Sequence, residues 1–161
     1  MNAVHFHLLM THLPIVGSAL AALVLLMGIF SNSSATRMSA YVLLIICGIG
    51  AGMANKSGEE SEEILEDRPG YDHHLIHEHE EAAEPVFVSM AALAIVAIGG
   101  IVLERKQHKF AKLTSYVLLA GSATCFGLSA RAGYLGGMIK HDEIRTEQPA
   151  APREHLEEEE H

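Results

Sequence analysis

The stretch LLMTHLPIVGSALAALVLLMGIF, residues 8–30, decides the fold, because it contains no Asp, Glu, Lys or Arg. A helix of this length crosses the hydrocarbon core of a bilayer. No Lys or Arg precedes the stretch, and it is longer than the apolar part of a signal peptide, which measures about 7 to 15 residues. We therefore expect a membrane span that the mature protein retains.

Three further apolar runs follow, at residues 38–54, 85–103 and 113–130. Each has roughly the length that a membrane helix needs. A water-soluble bundle would show a polar stripe at helical period along each run, and none of the four shows one. We predict an all-α integral membrane four-helix bundle over residues 1–145, with an acidic, disordered tail at residues 146–161.

The charges outside these runs predict the orientation. Four crossings return the C-terminus to the side of the N-terminus, where the loop at residues 55–72 is strongly acidic. Because Lys and Arg concentrate in cytoplasmic connections, the basic side is predicted to be cytoplasmic and both termini periplasmic, in a bacterial inner membrane. The charges assigned to that basic side are Arg37, Arg105, Lys106, Lys109 and Lys112 against Glu104.

The second and fourth runs resemble each other. Shifting the chain by 75 residues aligns residues 37–44, RMSAYVLL, with residues 112–119, KLTSYVLL, and aligns Lys56 with Arg131. The first and third runs align at a slightly smaller shift, which brings Pro14 to Pro85. We interpret this as a duplicated helical hairpin related by an axis along the membrane normal, with chance similarity between apolar segments as the rival explanation.

Histidines mark the start of the first and third runs, in VHFHLLMTHLP (residues 4–14) and HHLIHEHEE (residues 73–81). Polar groups at membrane depth are costly and usually functional. The sequence therefore predicts that the two blocks meet at one end of the bundle and form a site. The histidines chosen for a ligand role are His7, His12, His77 and His141; for His5 the choice is open, and the remaining histidines, His79 among them, are assigned to interface hydrogen bonding.

Two kinds of cofactor fit such a site. Neutral imidazoles from facing helices are axial ligands of haem b, and Lys56 with Arg131 would neutralise its propionates. Imidazoles with a carboxylate also bind iron, copper or zinc, and the set predicted for that role is His7, His12, His77, Glu81 and His141. Arg131 has a structural alternative as the partner of Glu78 or Glu81, or as a side chain that extends to the interface.

The start of the first helix has two solutions. Thr11 is a good N-cap, and Pro14 would then lie in the first turn. Alternatively, one helix runs from Ala3 and is kinked at Pro14. In a straight helix His7 and His12 do not share a face, so either the chain bends at Pro14 or the two histidines serve different sites.

Other functions are poorly represented in the sequence. A net charge of -9 without a basic patch argues against a nucleic-acid partner. There is no Walker loop, nucleophile elbow or HExxH motif. Whether the protein is an enzyme stays open.

Two motifs carry a resemblance to a known family, namely HLLMTHLP at residues 7–14 and GGMIKHDEIR at residues 136–145. Together with the His-Glu pair before the third run, they resemble the small bacterial membrane proteins grouped as domain of unknown function 2231. The resemblance covers residues 3–145. It implies a four-helix membrane domain associated with haem or metal, and its pattern falls on His7, His12, His77 and His141.

The sequence thus leads to three functional expectations. The first is a haem or metal protein that carries electrons between a donor in the membrane and a periplasmic partner protein. The second is non-redox binding or transport of a transition metal. The third is a structural subunit of a larger membrane complex, with an acidic face for docking. The lipid bilayer is a partner in each case, and a homo-oligomer is compatible with all three.

Overall fold

The computed structural model describes residues 3–66 and 73–140, which form four helices. Each helix is long and apolar enough to cross a membrane, and no strand occurs within these ranges. The predicted all-α membrane bundle is therefore confirmed. The tail at residues 146–161, and with it His141, lies outside the described residues. The helices are α1 (Ala3–Phe30), α2 (Ser34–Glu66), α3 (His73–Arg105) and α4 (Ala111–Lys140).

Helix α1 is continuous from Ala3, so the predicted start at Thr11 is wrong and the alternative start at Ala3 is confirmed. Pro14 lies inside the helix, where it removes one backbone hydrogen bond. Contacts with α2 stabilise the turns before it. Leu13 packs so closely on Gly50 that a Cβ there would lie 2.6 Å from its side chain, and the His7 ring binds the Ala54 carbonyl.

The helices pack in a ring, in which α1 and α3 each contact both α2 and α4 and lie diagonally opposite each other. Large apolar side chains such as Leu44 and Met90 fill the interior. Equally apolar side chains, including Leu23 and Ile95, are exposed on the outside. Apolar residues on both the inner and the outer faces are expected of a bundle whose surroundings are lipid.

The two hairpins bury equivalent positions, which supports the duplication but changes its register. Buried positions in α1 and α3 lie 72 residues apart: Pro14/Val86, Ser18/Met90, Ala21/Leu93, Leu25/Ala97 and Gly28/Gly100. Those in α2 and α4 lie 78 residues apart: Arg37/Ser115, Ala40/Leu118, Leu44/Ser122, Cys47/Cys125, Ala51/Ser129 and Ala54/Ala132.

The shift of 75 suggested by sequence identity therefore does not align equivalent faces. Tyr41 is buried, whereas Tyr116, its counterpart at that shift, is exposed. At the interval of 78 residues that aligns buried positions, Ser115 is the equivalent of Arg37. The Ser115 hydroxyl shares a 2.7 Å hydrogen bond with Tyr41. The predicted equivalence of Lys56 and Arg131 fails for the same reason, since it depends on the shift of 75.

Gly48 is a point of close approach between α2 and α3. A Cβ at this position would lie 2.6 Å from the Ala94 Cβ and 3.2 Å from the Met90 carbonyl oxygen. A Cβ at Gly52, one turn further along α2, would only make ordinary contact with Phe87 at 3.7 Å. Gly48 thus allows close helix packing, as small residues do in membranes.

We expect Gly48→Val to destabilise the bundle by about 1–3 kcal/mol, because an overpacked interface forces the helices apart. Thermal unfolding of the detergent-purified protein measures the effect. Gly127→Val is the matched control, since a Cβ at Gly127 would meet nothing within 4 Å. Equal melting temperatures for the two variants would contradict the role assigned to Gly48.

An ion pair is enclosed at the end of the bundle opposite the histidines. Arg37 donates to both carboxylate oxygens of Glu104, with 2.8 Å between Nη2 and Oε2. Ser34 donates a further 2.8 Å bond to the same carboxylate. The side chains of Arg37 and Glu104 are only 7% and 3% exposed. Arg37 and Glu104 thus lie on the predicted side but are buried, whereas Arg105, Lys106, Lys109 and Lys112 are exposed there and keep this end basic.

Candidate cofactor site

His7 and His79 face each other at one end of the bundle, which we call the histidine end. They come from the diagonally opposite helices α1 and α3. Their ring centroids are 6.1 Å apart and their planes are nearly perpendicular, at 88°. They lie 72 residues apart, the same interval that separates the buried positions of these helices. The two hairpins thus contribute one imidazole each from equivalent positions.

Each ring is held by a backbone carbonyl of the next helix. Nδ1 of His7 lies 2.8 Å from the Ala54 oxygen, and Nδ1 of His79 lies 2.8 Å from the Ala132 oxygen. A carbonyl only accepts, so each Nδ1 carries the hydrogen. In the neutral ring Nε2 then holds the free lone pair. Metal-binding imidazoles are oriented in this way, with one nitrogen donating to a carbonyl and the other bound to the metal.

A glycine makes space for each ring. Gly58 and Gly136 each lie four residues after the carbonyl that accepts the bond. A Cβ at Gly58 would lie 3.2 Å from Cε1 of His7, and a Cβ at Gly136 would lie 3.0 Å from Cε1 of His79. Each imidazole therefore lies against bare backbone on α2 or α4, and even a methyl group would crowd it.

Ser129 lies on α4, about one turn from Ala132 toward the middle of the bundle. Its buried hydroxyl has no hydrogen-bond partner among the described residues. Ser129 is 1% exposed and lies three residues before Ala132, on the same face of the helix. A buried polar group without a partner costs free energy, and such groups usually bind water or a ligand. The histidine end thus has an unused polar group in addition to its two imidazoles.

Among the residues that the structure describes, the predicted ligands do not form one cluster. His12 is exposed, and its Nδ1 bonds to the Leu8 carbonyl of its own helix at 2.7 Å. His77 is exposed as well and pairs with Glu81 along α3 at 3.4 Å. Lys56 is exposed on α2. Of the residues chosen from the sequence, His7 alone belongs to the facing pair. Within residues 3–66 and 73–140, no three His, Cys, Asp or Glu side chains form a cluster able to bind a metal ion.

Arg131 lines a groove between α3 and α4 together with Glu78 and Glu81. It is exposed, and in the described part of the chain no ion pair joins it to either carboxylate. The structural alternative proposed for Arg131, pairing with Glu78 or Glu81, is therefore not seen.

Sequence reasoning missed His79, which it grouped with the interface histidines. Two intervals would have identified it. His79 follows His7 by 72 residues, and Gly136 follows Gly58 by 78. The shift that aligns Pro14 with Pro85 is one residue short of 72, and the stronger identity between the second and fourth runs at 75 residues obscures the interval of 78.

The separation of the two rings meets one geometric requirement of a metal centre with two protein ligands. A metal ion bonded to two imidazole nitrogens at about 2 Å each separates the ring centroids by roughly 6 Å, close to the 6.1 Å observed. Sites for bare zinc use three or four protein ligands. Haem iron takes its four equatorial nitrogens from the macrocycle and needs the protein only at its axial positions.

Comparisons with family models, with curated proteins and with solved structures find no match to this chain.

Proposed function

We propose that the bundle binds haem b at the histidine end, where His7 and His79 would hold the iron, and that it transfers electrons. The observation that carries this proposal is the facing pair of imidazoles, each with Nδ1 bonded to a carbonyl at 2.8 Å. Haem supplies a one-electron redox centre when bound. The resemblance to the 2231 family implies an association with haem or metal but no settled activity, and its pattern includes His7 and not His79.

The chain's own residues would prepare the two ligands. The carbonyls of Ala54 and Ala132 fix the ring orientation and increase the basicity of each Nε2. Gly58 and Gly136 allow the rings to lie against the neighbouring helices. The buried hydroxyl of Ser129 is available to a polar atom of the bound group.

The orientation follows from the exposed cations at the opposite end. Arg105, Lys106, Lys109 and Lys112 surround the α3–α4 connection, and such clusters remain in the cytoplasm. The histidine end would then face the periplasm of a bacterial inner membrane. An electron donor within the membrane and a periplasmic acceptor protein are the partners that this placement implies.

The visible absorption spectrum of the protein, purified in mild detergent, tests the proposal. We expect a Soret band that shifts on reduction. Absence of the band together with stoichiometric iron, copper or zinc would favour non-redox metal binding. Absence of both signals would leave a structural subunit.

Substitution of the glycines beside the rings is expected to weaken haem binding without touching a ligand. Gly58→Val and Gly136→Val place side-chain atoms where the imidazoles lie, and a ring forced off its carbonyl loses its orientation. We expect haem affinity to fall by about 10- to 100-fold, the usual effect of losing an orienting partner. Gly127→Val is the control, and haem titration is the measurement. Unchanged affinity in both glycine variants would contradict the assignment.

A further inference from the structure

The groove between α3 and α4 is a second candidate site, separate from the histidine pair. It has a volume of about 300 Å³, which is at the lower end of the range for ligand pockets. Glu78 and Glu81 line it from α3, and Arg131 lines it from α4. Ala82, Pro85 and Leu128 supply its apolar surface.

The equivalent place between α1 and α2 is packed differently. Position 85 corresponds to Leu13 at the interval of 72, and position 128 corresponds to Gly50 at the interval of 78. Leu13 packs directly on Gly50 and fills the space that Pro85 and Leu128 leave open. The counterparts of Glu78, Glu81 and Arg131 are Phe6, Leu9 and Met53. The groove and its charges are therefore features of one hairpin, and bundle packing alone does not require them.

The charges are separated across the groove, with both carboxylates on one wall and the guanidinium on the other. No ion pair within 4.0 Å joins the walls in the described residues. Glu81 pairs with His77 at 3.4 Å and Glu78 with His74 at 3.9 Å, each along α3 and well exposed. A ligand that carries both a cationic and an anionic group would satisfy the two walls at once.

The position of the groove favours a lipid over a soluble zwitterion. The part of the groove nearest the middle of the membrane reaches Pro85, where the apolar run of α3 begins. One turn further, Val88 is 58% exposed on a surface that faces acyl chains. The charged side chains therefore lie at headgroup depth, while the apolar part continues toward the hydrocarbon.

We propose that this groove binds the headgroup of an ethanolamine phospholipid. Its phosphate would accept hydrogen bonds from Arg131, whose guanidinium suits phosphate oxygens. Its primary ammonium would donate to Glu78 and Glu81. A choline headgroup has no N–H to donate, and a glycerol headgroup has no cation, so neither satisfies both walls.

Native mass spectrometry of the full chain in detergent tests the proposal, with ethanolamine, choline and glycerol phospholipids of identical acyl chains added in turn. We expect the ethanolamine lipid to bind about tenfold more tightly than either of the others, the effect of a charge-assisted hydrogen bond. The double variant Glu78→Gln, Glu81→Gln should abolish this preference. Arg131→Gln should weaken the binding of all three lipids.

Lys56→Gln is the matched control, because Lys56 is an exposed cation near the same end that does not line the groove; it should leave lipid binding unchanged. Three results would each overturn the proposal. They are equal binding of the three lipids, a preference for the glycerol lipid, and an ethanolamine preference that remains in the double variant. All the substituted side chains are exposed, so folding is preserved. Haem content reports on the histidine pair separately, so the two proposals fail independently.

Discussion

Protein carrying His79→Ala is expected to lose its Soret absorption, whereas protein carrying His77→Ala keeps it. The two histidines lie two residues apart on α3, and their side chains point in different directions. The His79 ring is packed between Gly136, the Ala132 carbonyl and His7, while His77 is exposed and pairs with Glu81. Removing a ligand removes the bond to iron itself, so we expect haem affinity to fall by more than roughly tenfold.

Helix α1 offers the same comparison. His7→Ala should abolish the spectrum and His12→Ala should not, because the His12 ring bonds to its own helix and faces outward. Haem content per protein, measured after purification and again after adding haem in excess, distinguishes lost affinity from poor loading in cells. Loss of haem in His12→Ala or His77→Ala, with retention in His7→Ala and His79→Ala, would refute the assigned pair.

The helices were predictable from the sequence, and the choice of ligands was not. An apolar run in a bilayer has to form a helix, because no water is present to bind its backbone. Four runs therefore fixed four helices. The sequence does not say which face of each helix points inward, because residues such as Leu23 outside and Leu25 inside are equally apolar.

The inward faces do carry a signal, although it is weak. Helix α4 buries Ser115, Ser122 and Ser129 at seven-residue intervals, so its inner face is smaller and more polar than its outer face. Small and hydroxyl residues mark helix interfaces in membranes. Placing α4 by these serines would have shown that Ala132, three residues beyond Ser129, also faces inward, and with it the carbonyl that binds His79.

The sequence did not predict the ion pair, and the reason was different. Arg37 and Glu104 lie at the ends of apolar runs, where charges usually belong to the connections. Their 67-residue separation gives no indication of contact. Only the packing of α2 against α3 brings the guanidinium and the carboxylate together.

Removing one member of this pair is expected to have the largest effect on stability of any single substitution considered. Glu104→Gln leaves the Arg37 guanidinium, 7% exposed, without a counter-ion. Breaking a buried pair from one side costs about 3–5 kcal/mol, and a bilayer offers the stranded charge no water. We expect the melting temperature in detergent to fall by roughly 10 °C.

The double variant Arg37→Met, Glu104→Met tests the cause. If the cost comes from the stranded charge, replacing both partners with apolar side chains should restore most of the lost stability, since apolar replacements of buried pairs are often neutral. Arg105→Gln is the control, because Arg105 is adjacent in sequence and exposed. A double variant as unstable as Glu104→Gln would instead show that the pair contributes through its specific hydrogen bonds, including the one from Ser34.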